Sequence, residues 1–288
     1  GIAVPADFER RGLDGREQVQ VLVDGSDPVV QSSARELAQV PVPGRARPAP
    51  AIAVLPLYNP ERRSAVTIVP GLVGVILTLT MVLFTAVAIV RERERGNLEL
   101  LLTTPVGRLE LMLGKVLPYI GIGLVQTTVV LGLGAGVFGV PMRGSLVEAY
   151  AAALLLIVAN LGLGLMISTL VRTQFQAMQM AFFAFLPSML LSGFMFPFEG
   201  MPVAAQWLAQ LLPLTHFLEL VRGVVLRGAS LSDMPVPVLA LLAFTTVLGT
   251  VSGLIVAASG AVVHDLLSGF LKLPLTDIGK VRIGNVEA

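Results

Sequence analysis

Few side chains in this sequence are equipped for chemistry, and most of those stand together. From 91 to 115 the chain reads RERERGNLELLLTTPVGRLELMLGK, and six of its first nine residues are Arg or Glu. Guanidinium and carboxylate groups at this density pair with each other, dock on a complementary surface or sit in water; hydrocarbon does not hold them. Arg91 and Glu94, Glu92 and Arg95, and Arg95 and Glu99 fall at i,i+3 or i,i+4, so weak ion pairs would support a charged helix. Gly96 offers a bend. Thr104-Pro105 is a helix start, with Thr as N-cap and Pro at the first helical position. After it, Val106, Leu109, Leu113, Val116 and Leu117 share one face while Arg108 and Lys115 stay off it, which predicts a short amphipathic helix lying along a membrane. On spacing alone, a solvated loop carrying basic charge stays equally open.

Other chemistry is thin. There is no Cys, which excludes disulfides, thiol chemistry and cysteine-ligated zinc. His216 and His264 are the two histidines, too few and too far apart for a metal or a relay. His216, just after Pro213-Leu214-Thr215, is expected to cap or hydrogen-bond locally. No G-x-x-x-x-G-K-[ST] phosphate loop occurs; Gly114-Lys115 is followed by Val116. Glu219 and Arg222 are three apart, fit to pair on one helix face, and with Glu199 form a candidate outer gate. Asn160, Gln126, Gln176 and Gln179 lie in or beside apolar runs, where polar groups join helices or line a path.

The elements that must position these residues are set by composition. Of 288 residues 55% are hydrophobic and 14% charged, with a mean hydropathy of +0.82. A soluble domain carries about 25% charged residues, so the chain reads as a polytopic membrane protein. A spanning helix needs roughly 20 apolar residues. Runs at 64–90, 116–137, 146–171, 177–196 and 236–258 meet that need, predicting five spans. Between the fourth and fifth, 203–212 and 216–226 are short helices broken by Pro202 and Pro213, expected to re-enter the outer leaflet. Arg91, Arg93, Arg95, Arg108, Lys115, Arg172, Lys272, Lys280 and Arg282 fall on one side, Arg143, Arg222 and Arg227 on the other; nine against three makes the first side cytosolic. Residues 1–63 then lie outside. They read as a helix after Pro5, a strand at 18–23 stopped by Asp24-Gly25, a helix at 29–40, a proline-rich loop at 40–50 and a strand at 52–57.

In order along the chain, these features resemble the permease subunit of ABC-2 type ABC transporters. The likeness is carried by Tyr58-Asn59-Pro60-Glu61, IVPGLVG at 68–74, RERERG and LLTTP within 91–105, and LELMLGKVLPY at 109–119. It continues in ANLGLGLMISTL at 159–170, LPSMLLSGFMFPFEGMP at 186–202 and LLPLTHFLELVRG at 211–223. The resemblance implies that the cytosolic stretch forms a coupling helix resting on a separate ATPase subunit, with Glu92, Arg93, Glu94, Gly96, Glu99, Pro105, Arg108 and Glu110 as docking candidates. It also implies a second permease subunit, identical or not, and export of a hydrophobic or amphipathic substrate such as a drug across a prokaryotic inner membrane. No cofactor is expected in this chain, since ATP and Mg would be bound by the partner. A periplasmic adaptor is a further expected partner, beside the lipid bilayer, and nucleic acid is not. The region before the first span resembles the family's extracellular domain, which follows a transmembrane helix; the chain therefore reads as a fragment lacking that helix.

The tail departs from this pattern. GLIVAASGAVVHDLL at 253–267 and KVRIGNVEA at 280–288 resemble a piece of a sodium/solute symporter of the acetate kind. A secondary transporter fragment, or a membrane anchor without transport, is the alternative reading. An ion-coupled carrier should show acidic residues in mid-span, and the first four predicted spans have none there. The expected fold is thus an all-α membrane domain at 64–258, with the coupling stretch 91–115 and re-entrant region 197–235. A partial extracytoplasmic α+β domain at 1–63 precedes it, and an atypical cytosolic tail at 259–288 follows.

Overall fold

The structure is a computed structural model that describes residues 2–14, 19–24, 34, 36, 52–57, 63–95, 108–196 and 198–265, with backbone alone for 12, 13, 24, 52, 53, 56, 57, 108–113, 115, 199 and 252–265. At the start, β1 (Ile2–Ala3), α1 (Phe8–Leu13), β2 (Val19–Asp24) and β3 (Ile52–Leu57) form a small sheet with one helix. The strand order is β1-β2-β3, antiparallel then parallel, with Val19 opposite Ile52 and Val23 opposite Pro56. Both strands read from the sequence are present among the described residues, the first as Val19–Asp24. The loop at 40–50, and the helix at 29–40 apart from helical Ala34 and Glu36, lie outside the described residues.

The rest is mostly helical. Among the described residues three segments are long and apolar enough to cross a bilayer: α2 (Ser64–Glu94), the Val116–Gly136 part of α3 (Arg108–Gly136), and α4 (Leu146–Leu170). α5 (Gln174–Leu191) has 18 residues, with Gln174, Gln176 and Gln179 in its first two turns. α6 (Val203–Ala209) and α7 (Pro213–Arg222) follow; α7 runs into a π-helical turn, Gly223–Arg227, and this pair is bent by 85°. α8 (Pro235–Asp265) closes the described chain and is apolar over Pro235–Val251. Together these make a polytopic membrane protein.

Packing centres on α2, which touches α3, α4, α5 and α7. Leu77 and Met81 of α2, Leu156, Ile157 and Leu161 of α4, and Leu214, Phe217 and Leu220 of α7 are fully buried in one core. A second, smaller cluster joins Val82, Ala86 and Val90 of α2 to Ile167, Val171, Ala177 and Ala181. Two glycines permit the close approaches. A Cβ on Gly74 would stand 2.6 Å from Phe217 and 2.7 Å from Leu214, so α7 packs where α2 has no side chain. A Cβ on Gly164 of α4 would stand 2.8 Å from Thr85 Cβ and 2.9 Å from the Val82 carbonyl oxygen. Both glycines belong to the motifs that carry the family resemblance. Polar groups inside the bundle serve as joints: Asn160 Nδ2 donates to Thr78 Oγ1 at 3.2 Å, and Thr80 Oγ1 donates to Gln126 Oε1 at 2.9 Å.

Two expectations need correction. The amphipathic helix expected between Thr104 and the second span is not a separate element from Arg108 onward: helix runs unbroken from Arg108 through Lys115 into the span. Apolar positions on both sides of Lys115 favour one continuous helix, and Pro118 is accommodated inside it. The short helices expected at 203–212 and 216–226 are observed as Val203–Ala209 and Pro213–Arg222. Pro213 starts α7 instead of breaking it, because its fixed φ suits the first helical position and its missing N–H costs nothing there. Thr215 Oγ1 then donates to the Ala209 carbonyl at 2.7 Å, and His216 Nε2 lies 2.9 Å from the Gln210 carbonyl oxygen. These bonds take up carbonyls left open at the end of α6. The local role expected of His216 is the one seen.

Overpacking tests the α2–α4 contact. Gly164→Val is expected to lower the thermal midpoint of the purified protein in detergent, by the equivalent of about 1–3 kcal/mol. Gly132→Ala should cause no loss, because its added Cβ meets nothing within 4 Å.

Candidate functional site: the charged end of the bundle

A 31-residue helix is about 46 Å long at ~1.5 Å per residue, well beyond an apolar core of about 30 Å. The surplus on α2 is polar, so its last turn, Arg91 to Glu94, projects past the spanning segment. Arg95 follows as C-cap, its N–H bonded to the Arg91 carbonyl at 3.1 Å. The turn between α4 and α5 arrives at the same end.

Two consecutive side chains of α2 hold that turn. Arg93 Nη1 donates to the Val171 carbonyl at 3.2 Å, just past the end of α4. The Glu94 carboxylate accepts from the Gln174 backbone N–H at 2.8 Å and, through its other oxygen, from the Gln174 side-chain amide. Each contact suits the helix end it meets: a cation at a C-terminal carbonyl, an anion at N-terminal N–H groups. Thr173 completes the junction as N-cap of α5, in a capping box with Gln176. The Gln174 amide first, and its backbone N–H second, hold the Glu94 carboxyl below the usual carboxylate range.

This changes the standing of the predicted residues. Among the described residues Arg91 and Glu94 do not pair as their spacing suggested; Gln174 binds both Glu94 carboxylate oxygens instead. Of the eight docking candidates, Arg93 and Glu94 are engaged within the chain, and Glu92 shares their helical turn. Gly96, Glu99, Pro105 and the Thr104 cap lie outside the described residues; Arg108 and Glu110 sit in the first turn of α3, described by backbone alone. At the opposite end, Glu219 is exposed on α7 and does not pair with Arg222 among the described residues. Arg222 Nη2 donates to the Gly193 carbonyl at 3.2 Å. Glu199 lies in a 3-10 turn, Phe198–Gly200. That end is further tied by Ser230 Oγ donating to Glu148 Oε1 at 2.6 Å and the Arg143 N–H to the Val225 carbonyl at 3.0 Å. Gln174 was missed from sequence. Thr173-x-x-Gln176 is a legible capping box, but nothing local points to an anion 80 positions earlier.

With this architecture in view, the comparisons decide the family. The family described as "ABC-2 family transporter protein" matches residues 2–254. The chain belongs to the ABC-2 transporter family. This ABC-2 chain is 34% identical over 241 residues to "Probable multidrug ABC transporter permease YbhS" of Escherichia coli, covering 79% of the chain and 64% of that protein. It is 32% identical over 244 residues to "Probable multidrug ABC transporter permease YbhR" of Escherichia coli, covering 80% of the chain and 65% of that protein. A relative from Dictyostelium discoideum, "ABC transporter G family member 20", is 29% identical over 173 residues, covering 60% of the chain and 24% of that protein. The match thus spans a little under two thirds of the length of the bacterial relatives.

The lowered pKa of the Glu94 carboxyl sets a pH signature. A carboxyl whose folded pKa lies below its unfolded value stabilises fully above the unfolded value, and that contribution fades as pH falls through the folded one. The thermal midpoint of the wild type relative to Glu94→Gln should therefore be steady between about pH 8 and about pH 5. The difference should shrink toward zero in more acid buffer, where the wild-type carboxyl is itself neutral.

Proposed function

We propose that this chain is the membrane-spanning permease subunit of an ATP-driven exporter in a prokaryotic inner membrane. The observation that carries the reading is the match to ABC transporter permeases along most of the chain. A separate nucleotide-binding subunit hydrolyses ATP with its Mg, and this chain turns that work into movement of a hydrophobic or amphipathic substrate such as a drug. The drug class rests on the names of the bacterial relatives and on apolar spans.

In this reading α5 and α8 complete five spans with the three long apolar helices, and α6 and α7 form the re-entrant pair on the outer side. Residues 1–63 belong to an extracytoplasmic domain, and 259–288 to a cytosolic tail. The charged end of α2 faces the cytosol. That orientation is supported by Arg91, Arg93, Arg95 and Arg172 gathering at one end, while Arg143, Arg222 and Arg227 lie toward the other. A second permease subunit and a periplasmic adaptor complete the assembly, and Glu199, Glu219 and Arg222 stand where an outer gate would be. Because Arg93 and Glu94 are engaged inside the chain and Glu92 also has a partner there, docking on the ATPase falls to Gly96, Glu99, Pro105, Arg108 and Glu110.

The test is co-purification of the full-length permease with the ATPase encoded beside it. Glu99→Arg combined with Glu110→Arg should cut ATPase recovery by roughly tenfold, as expected for like charges set against an interface, while permease yield is kept. Unchanged recovery would contradict the docking role. Topology has its own readout: single cysteines at Ser26 and Gly107 should label from opposite sides of the membrane.

A further inference from the structure

The geometry points to Arg93 and Glu94 as a transmission joint: they lock the turn between α4 and α5 to the end of α2, so that movement of the cytosolic stretch is passed to α5. This rests on the ATPase-coupled reading above and assigns these residues a positioning role in place of a docking one.

Several observations converge on it. The two residues are adjacent, yet they grip opposite ends of one turn, Arg93 at the Val171 carbonyl and Glu94 at Gln174. Three hydrogen bonds, two of them to backbone, leave the turn little freedom to slide along α2. Beneath the turn lies the second apolar cluster, where Val82, Ala86 and Val90 of α2 meet Ala177 and Ala181 of α5. Small side chains there bring the two helices close, and α5 packs against α2 more extensively than against α4. The other face of α5 is open: Phe175, Met178, Phe182 and Phe183 are exposed. A helix clamped at its cytosolic tip to a neighbour, and bare along the opposite side, moves with that neighbour. The last turn of α2 in turn leads directly into the stretch from Gly96 that is proposed to meet the ATPase.

These 288 residues contain no cysteine, and any cysteine elsewhere in the full-length permease is first replaced by serine. Phe183→Cys, on the open face of α5, carries a nitroxide label in the full-length permease bound to its ATPase. Its mobility is recorded with and without ATP plus vanadate. A distinct ATP-dependent change is expected in the otherwise wild-type protein. Glu94→Ala should reduce that change by roughly fivefold or more while ATPase recovery on co-purification is kept. Gln174→Ala should act similarly, and the double variant should be no worse than either single, as for two members of one contact. Glu94→Gln, which keeps an acceptor oxygen for the Gln174 N–H, should restore part of the change; a merely destabilised bundle would not show this graded rescue. The inference is overturned if Glu94→Ala leaves the signal at wild-type size, if it abolishes ATPase capture, or if the wild-type label ignores ATP. Failure of the wild-type permease to capture any ATPase would be a different result. It would remove the exporter reading, and the joint with it.

Discussion

The contact between α2 and α4 is the constraint on which the rest of the bundle depends. In hydrocarbon there is no hydrophobic gain from bringing two apolar helices together, so association relies on close packing and on a few polar bonds. Gly164 lets the backbone of α4 approach the Val82–Ala86 turn of α2, and Asn160 bonds Thr78 one turn further out. Leu77, Met81, Leu156, Ile157 and Leu161 fill the space between. With that pair fixed, α2 can present one face to α7 through Gly74 and another to α5 through Ala86 and Val90. A wider spacing of the first pair would displace both neighbours.

The two ends of this core are finished differently. At one end, α6, α7 and the π-helical turn fold back against α2 and α4, held by Ser230–Glu148 and by the Arg143 N–H on Val225. Extra-residue helical turns of this kind are uncommon and often sit at functional places. At the other end, among the described residues, Arg93 and Glu94 hold the bundle to the α4–α5 turn. One end is thus a broad apolar wedge, the other a compact polar joint on an exposed helix tip.

Much of this was legible in the sequence because a bilayer narrows the choices. Apolar run length alone located α2, α3 and α4, and the proline-marked short helices at 203–226 were found as α6 and α7 with shifted bounds. The shift came from reading Pro213 as a break, when a proline is equally a start. Alternation and turn residues point to strands at 18–23 and 52–57, but not to their parallel pairing, since register between distant strands leaves no local trace. The charged end of α2 is legible in the sequence as a helical turn, but its partners are not. Spacing within one helix pairs Arg91 with Glu94, whereas the structure gives Glu94 to Gln174, 80 residues on. Tertiary contact outweighed an ion pair worth a few tenths of a kcal/mol on an isolated helix. Likewise spacing lets Arg222 pair with Glu219 on the same helix, but does not foretell the bond it donates to the Gly193 carbonyl.

The central claim is that the stretch beginning at the end of α2 faces a cytosolic ATPase. A photoreactive amino acid placed at Gly107 and activated in native membranes tests it most directly, because it reports the neighbour without purification. The account predicts a dominant adduct with an ATP-binding subunit, competed by excess of that subunit and lacking when the photoreactive group is moved to Met201. Adducts confined to lipid, or to a protein on the extracytoplasmic side, would contradict it.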